Sequence, residues 1–100
     1  MPRMTVWSIR RFVRETIAEV LGIEMRYVHP KHALVNDLRA SDTDIAEIIT
    51  YLDAQLGITF PERDEGTHKT RTVERLTKRV LACYRREHGG FALDSFHKKT

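Results

Sequence analysis

Apolar residues recur along this chain at steps of three and four, the period of a helix that buries one stripe. Ile9, Val13, Ile17, Val20 and Leu21 form the first stripe, with Thr5 placed to cap its start and Gly22 to stop it. The stretch YVHPKHALVNDLRA follows. It contains Pro30 and holds no sustained period, so it reads as a long connecting loop pinned by Val28, Leu34 and Leu38. Loops of that length inside a compact domain are uncommon and usually functional. A second stripe, Ile45, Ile48, Ile49, Leu52 and Leu56, predicts a helix starting at Asp42 and ended by Gly57. The segment GITFPERDEGTHKTRT is turn-rich through Pro61 and Gly66, with room for one short helical turn. A last helix is predicted from Thr72 to Arg86, burying Val73, Leu76, Val80, Leu81 and Cys83 or Tyr84, and broken by Gly89 and Gly90. The tail FALDSFHKKT either frays or lays Phe91, Leu93 and Phe96 back on the core.

No strand-like alternation competes with this pattern. The expected fold is all-α: a small bundle of three main helices, a short irregular third helix and a long first loop. Residues 1–88 are expected to form the domain and 89–100 a flexible C-terminal tail. One hundred residues, 41% hydrophobic and 31% charged, fit one small globular domain with a modest core. A single cysteine forms no internal disulfide, and no apolar run is long enough to cross a membrane or serve as a signal peptide. The expectation is therefore a cytoplasmic protein, monomeric and without a membrane partner.

Charge changes the picture more than composition does. The net +3 conceals an acidic middle between two basic ends. Residues 37–65 carry eight acidic and two basic side chains, against six basic and three acidic before them and nine basic and three acidic after. Segregation of this kind concerns partners and association rates rather than fold.

The start of the second predicted helix holds the candidate chemistry. Ser41, with Asp44 three positions on, matches a capping box in which aspartate stands for the usual glutamate. On that reading Ser41 accepts from the Asp44 N–H, and Asp42 and Asp44 favour the positive end of the helix dipole.

The order of parts resembles the acyl carrier protein family over Ile9 to Arg86. IAEVLGIEMRYVHPKHALVNDL is similar to the family's first helix ending in Leu-Gly and the loop that leads to an Asp-Leu segment. DLRASDTDIAEIITYLDAQLGITFP is similar to the family's Asp-Leu-Gly-x-Asp-Ser-Leu, its acidic second helix and a hydrophobic-x-Ile-Pro turn. TRTVERLTKRVL is similar to the start of the family's last helix. The resemblance implies a carrier or carrier-like protein of fatty-acid or polyketide-type biosynthesis, not itself an enzyme. It implies 4′-phosphopantetheine on a serine at this helix start. It also implies partner enzymes that dock basic patches on Asp44, Glu47 and Asp53, and an acyl chamber lined by Ile45, Ile49, Leu52 and Val80.

This chain departs from the family at the centre of that motif. Counting four residues on from Leu38 reaches Asp42, where the family has its serine. Ser41 falls on the family's aspartate, Thr43 on its apolar residue and Arg39 on its glycine. A carboxylate cannot form the phosphodiester, and a step of one residue turns a helical side chain by about 100°. Ser41 is thus either a cap or a displaced attachment site, and Asp42 either first-turn electrostatics or a permanent charge where the family carries a phosphate. The expected outcome is a chain that lacks the arm, with a phosphopantetheinyl transferase as a partner only if Ser41 serves. A non-carrying interaction module that kept the fold is the alternative function.

Other groups read as structural. His29 and His32 flank Pro30 and Lys31 with no further ligand nearby in sequence, so no metal is expected. Cys83 lies on a buried stripe without an ordered base. Arg10, Arg11, Arg14, Lys78, Arg79, Arg85 and Arg86 are spread around their helices, which suits a solubilising surface better than the third alternative, a basic nucleic-acid binder. Trp7 is expected to cap the core.

Overall fold

The computed structural model describes residues 3–60 and 71–93. The expected turns about Pro61 and Gly66, the short irregular third helix and Phe96 lie outside those residues. Helix α1 spans Val6–Leu21, α2 spans Asp42–Leu56 and α3 spans Val73–His88. Each starts on a hydroxyl cap: Thr5 accepts from the Ser8 N–H, Ser41 from the Asp44 N–H and Thr72 from the Arg75 N–H. Each ends on a glycine in left-handed backbone, Gly22 (φ 70°), Gly57 (φ 63°) and Gly89 (φ 80°). At Gly57 a side chain would also crowd the His88 ring, whose Cε1 and Nε2 lie 3.4 Å from where a Cβ would stand. The fold is a small all-α bundle, and among the described residues it contains two isolated bridges rather than strands.

The predicted stripes converge on one core. Ile9, Val13 and Ile17 of α1, Ile45, Ile48 and Leu52 of α2, and Val73, Leu76, Val80 and Cys83 of α3 are all at most 4% exposed. The long first loop belongs to that core rather than skirting it, since Val28 and Leu34 are 0% and 1% exposed. It also contains one 3-10 turn, Met25–Tyr27, which the sequence pattern did not show because it buries no residue. The loop pairs with the lead-in to α3. Leu34 N–H donates to the Arg71 carbonyl at 3.0 Å and Val73 N–H to the His32 carbonyl at 2.9 Å. A stretch without helical period is thereby held by a bridge and two buried side chains.

Of the two expectations for the C-terminal stretch, Phe91 follows the second: it stacks on Tyr84 at 5.7 Å, and Ala92 bridges to Thr5 with its N–H donating to the Met4 carbonyl. Leu93, by contrast, is 90% exposed. Trp7 does not cap the core either. It is 50% exposed with the Arg11 guanidinium 5.6 Å from its ring centre. The reason is helical geometry, because two residues of separation from Ile9 turn Trp7 about 200° away from the buried stripe.

Candidate functional site

The backbone leading into α2 is shaped by short-range hydrogen bonds. Asp37 Oδ2 accepts from the Ala33 N–H at 2.7 Å, closing a turn, and the Ala40 N–H returns to the Leu34 carbonyl at 2.9 Å. Arg39 then takes φ 63°. That left-handed conformation costs a non-glycine residue about 1–2 kcal/mol, and it falls where the acyl carrier motif has glycine.

Ser41 follows in extended backbone (φ −85°, ψ 170°) and α2 begins. Its Oγ accepts from the Asp44 N–H at 3.1 Å, and the Asp44 carboxylate accepts from the Ser41 N–H at 2.9 Å. Two helix-start donors are thus satisfied reciprocally, which is the expected capping box. Aspartate reaches far enough despite being one methylene shorter than glutamate. Asp42, the first helical residue, is exposed, and so are Thr43 and Glu47.

The three residues expected to form an acidic docking face are not equivalent. Glu47 faces solvent, while Asp44 is half-buried and committed to the box. Asp53 is a correction. It turns toward the α2 C-terminus, where Oδ2 accepts from the Phe60 N–H at 3.4 Å and Oδ1 is buried without a hydrogen-bond partner. Burial raises its carboxyl above the usual aspartate value of 3.8, opposed by the bond from Phe60. Glu47 and Asp42 therefore carry the open negative charge of α2, a helix with four acidic residues and no basic one.

The residues expected to line an acyl chamber lie in or against the core. Ile45, Leu52 and Val80 are 4%, 0% and 0% exposed members of the continuous core, and Ile49 packs against it from its edge. Open space lies elsewhere, in a surface groove of about 570 Å³ between α1 and α2 that includes Thr16, Val20, Ala46, Thr50, Tyr51 and Ala54. Thr43, Ala46, Thr50 and Ala54 recur at helical spacing, a second stripe of small residues beside the large apolar stripe of α2. Thr16, a polar residue on α1, sits 2% exposed with no partner for its hydroxyl among the described residues.

The remaining candidates are structural. His29 and His32 face each other at 5.6 Å, with the His29 N–H donating to His32 Nδ1. Among the described residues no group of three or more His, Cys, Asp or Glu is arranged to hold a metal ion. Cys83 is buried in the core. Arg10 pairs with Glu74, Arg11 with Glu15, and Arg14 donates to the Val28 carbonyl. No helix among the described residues is long and apolar enough to cross a membrane. No model of a known protein family matches this chain.

Proposed function

We propose that this protein is an acyl-carrier-protein-like module of fatty-acid or polyketide-type biosynthesis. On this reading it is not an enzyme; it acts in the cytoplasm by presenting the start of α2 to acyl-chain biosynthetic enzymes that bear basic patches. It carries no phosphopantetheine arm of its own. The observation that carries this reading is the capping box at Ser41, supported by the glycine-like bend at Arg39.

The residues present do not fit the arm. Ser41 Oγ is already the acceptor for a helix-start N–H, and a phosphodiester on that oxygen would weaken the cap. Asp42, at the position where the family's serine stands, offers a carboxylate. Ile45, Leu52 and Val80 are buried in the core, at 4%, 0% and 0% exposed. What remains is a fixed negative charge at the helix start, from Asp42, with Glu47 five residues on. Charges placed this way steer a basic partner and fix its orientation more than they add affinity.

Incubation with coenzyme A and a broad-specificity phosphopantetheinyl transferase, read by intact mass, tests the proposal. The wild type should gain the arm slowly or not at all. Ser41→Asp combined with Asp42→Ser preserves charge and composition, keeps an N-cap and restores the family's register. It should be modified about a hundredfold faster or more, since a misplacement of about 1 Å can cost that much. Efficient modification of the wild type at Ser41 would make the protein an ordinary carrier. A double variant that stays as inert as the wild type would remove the family reading itself.

A further inference from the structure

The α1 helix separates two surfaces of opposite character. On one side Phe12 stacks on Tyr51 at 6.0 Å, and Thr16 and Val20 meet α2. On the other, Trp7, Arg10, Arg11 and Arg14 form a groove of about 340 Å³ with Met25 and Pro30 of the first loop. Phe12 and Arg14, two residues apart, point about 200° apart around the helix. The groove and the acidic α2 face thus lie on opposite flanks of one molecule, too far round to meet each other.

Charge in the groove is unevenly compensated. Arg10 is tied to Glu74 at 3.1 Å, which also lines the groove, and Arg11 to Glu15 at 3.0 Å. Arg14 donates to a neutral carbonyl, that of Val28 at 3.3 Å, which leaves its charge unopposed by that bond. The groove is also bordered by apolar surface. Trp7 is 50% exposed, and Val6, its neighbour in sequence, is 36% exposed. The α2 face is the complement: two open carboxylates, Asp42 and Glu47, no basic residue on the helix, and a tyrosine, Tyr51, that is 45% exposed.

We propose that the arginine and tryptophan groove on α1 receives the acidic face of α2 from a second copy of this chain, so that copies associate head to tail. Glu47 and Asp42 of one copy face Arg11 and Arg14 of the next, and Tyr51 covers the exposed edge of Trp7. Such a contact is heterologous, so each added copy leaves a free groove at one end and a free α2 at the other. Assembly therefore continues past the pair. Like any association driven by exposed charges, it is screened by salt. The dilute, salt-screened protein is the monomer expected from the sequence. The contact does not depend on whether an enzyme also docks on α2.

Trp7 is the chain's only tryptophan, so its emission reports the groove directly. The purified full chain is followed by sedimentation equilibrium and Trp7 fluorescence over a concentration series. The series is run at about 0.01 M and about 0.15 M salt, where the screening length is about 30 and about 8 Å. At low salt the weight-average mass should climb beyond that of a pair while Trp7 emission shifts to the blue, and both changes should shrink at the higher salt. Arg11→Glu and Glu47→Lys, on opposite faces and both exposed, should each weaken association by about tenfold or more. Unchanged circular dichroism in either variant establishes that it folds. A chain that stays monomeric throughout overturns the proposal. So does association that stops at a closed pair, leaves Trp7 emission unmoved, or survives both reversals.

Discussion

Ser41 shows how much one side chain can decide. Its oxygen holds the Asp44 N–H and its own N–H is held by Asp44. Ser41→Ala should therefore cost about 0.5–2 kcal/mol, while Ser41→Asp, another good cap, should be nearly neutral. Urea unfolding measures both, and an alanine variant with an unmoved midpoint would dismiss the capping role. Asp53 gives a pH-dependent counterpart. Its folded-state carboxyl lies above the ordinary value because burial disfavours the charge. The folded chain then holds the proton at pH values where the unfolded chain has released it. The stabilising contribution is complete below 3.8 and is lost as pH rises through the raised folded value. Asp53→Asn keeps an oxygen for the Phe60 N–H and removes the ionisation, so it should raise stability at neutral pH and remove this loss. Lower stability of the asparagine variant at neutral pH would mean that the charged bond to Phe60 outweighs burial.

Among the elements, the first loop behaves most like something it does not resemble in sequence. Its apolar residues have no helical period, yet Leu34 is as buried as Ile48 of α2, at 1% exposed each. Leu34→Ala should therefore destabilise as a core truncation does, by about 2–5 kcal/mol in a chemical melt. A loss under half a kilocalorie would show the loop to be only draped on the helices. The boundaries of α1 and α2 were legible because they rest on local chemistry: a hydroxyl before the stripe and a glycine after it. α3 runs to His88 rather than Arg86, since its last turn is held by contacts from distant segments. His88 Nε2 lies 2.8 Å from the Leu56 carbonyl, and its carbonyl accepts from Arg3 Nε.

Across the whole molecule, the two ends of the described chain meet. The Met4 N–H donates to Tyr84 Oη at 2.7 Å, Ala92 bridges to Thr5, and Phe91 lies on Tyr84. Residues past Gly89 thus help close the bundle. Phe91→Ala should remove about 1–2 kcal/mol of partial apolar burial, which lowers the melting midpoint by roughly 5–15 °C in a domain this small. A thermal midpoint equal to wild type would return residues 89–92 to the status of a tail.

The sequence by itself determined where α1 and α2 begin and end, which faces they bury, and that Ser41 would cap α2. Those features follow from period, capping and backbone freedom, all of which act within a few residues. Tertiary structure alone decided what Asp53, Thr16 and Phe91 do. The resemblance placed Asp53 on an acidic docking face, but the chain after Gly57 folds back so that Phe60 meets it. Thr16 is polar yet buried between the helices, and of the two readings open for Phe91 it is the contact with Tyr84 that holds. In each case a partner distant along the chain, or the helix's orientation against its neighbours, decided the outcome, and neither is written in any local window.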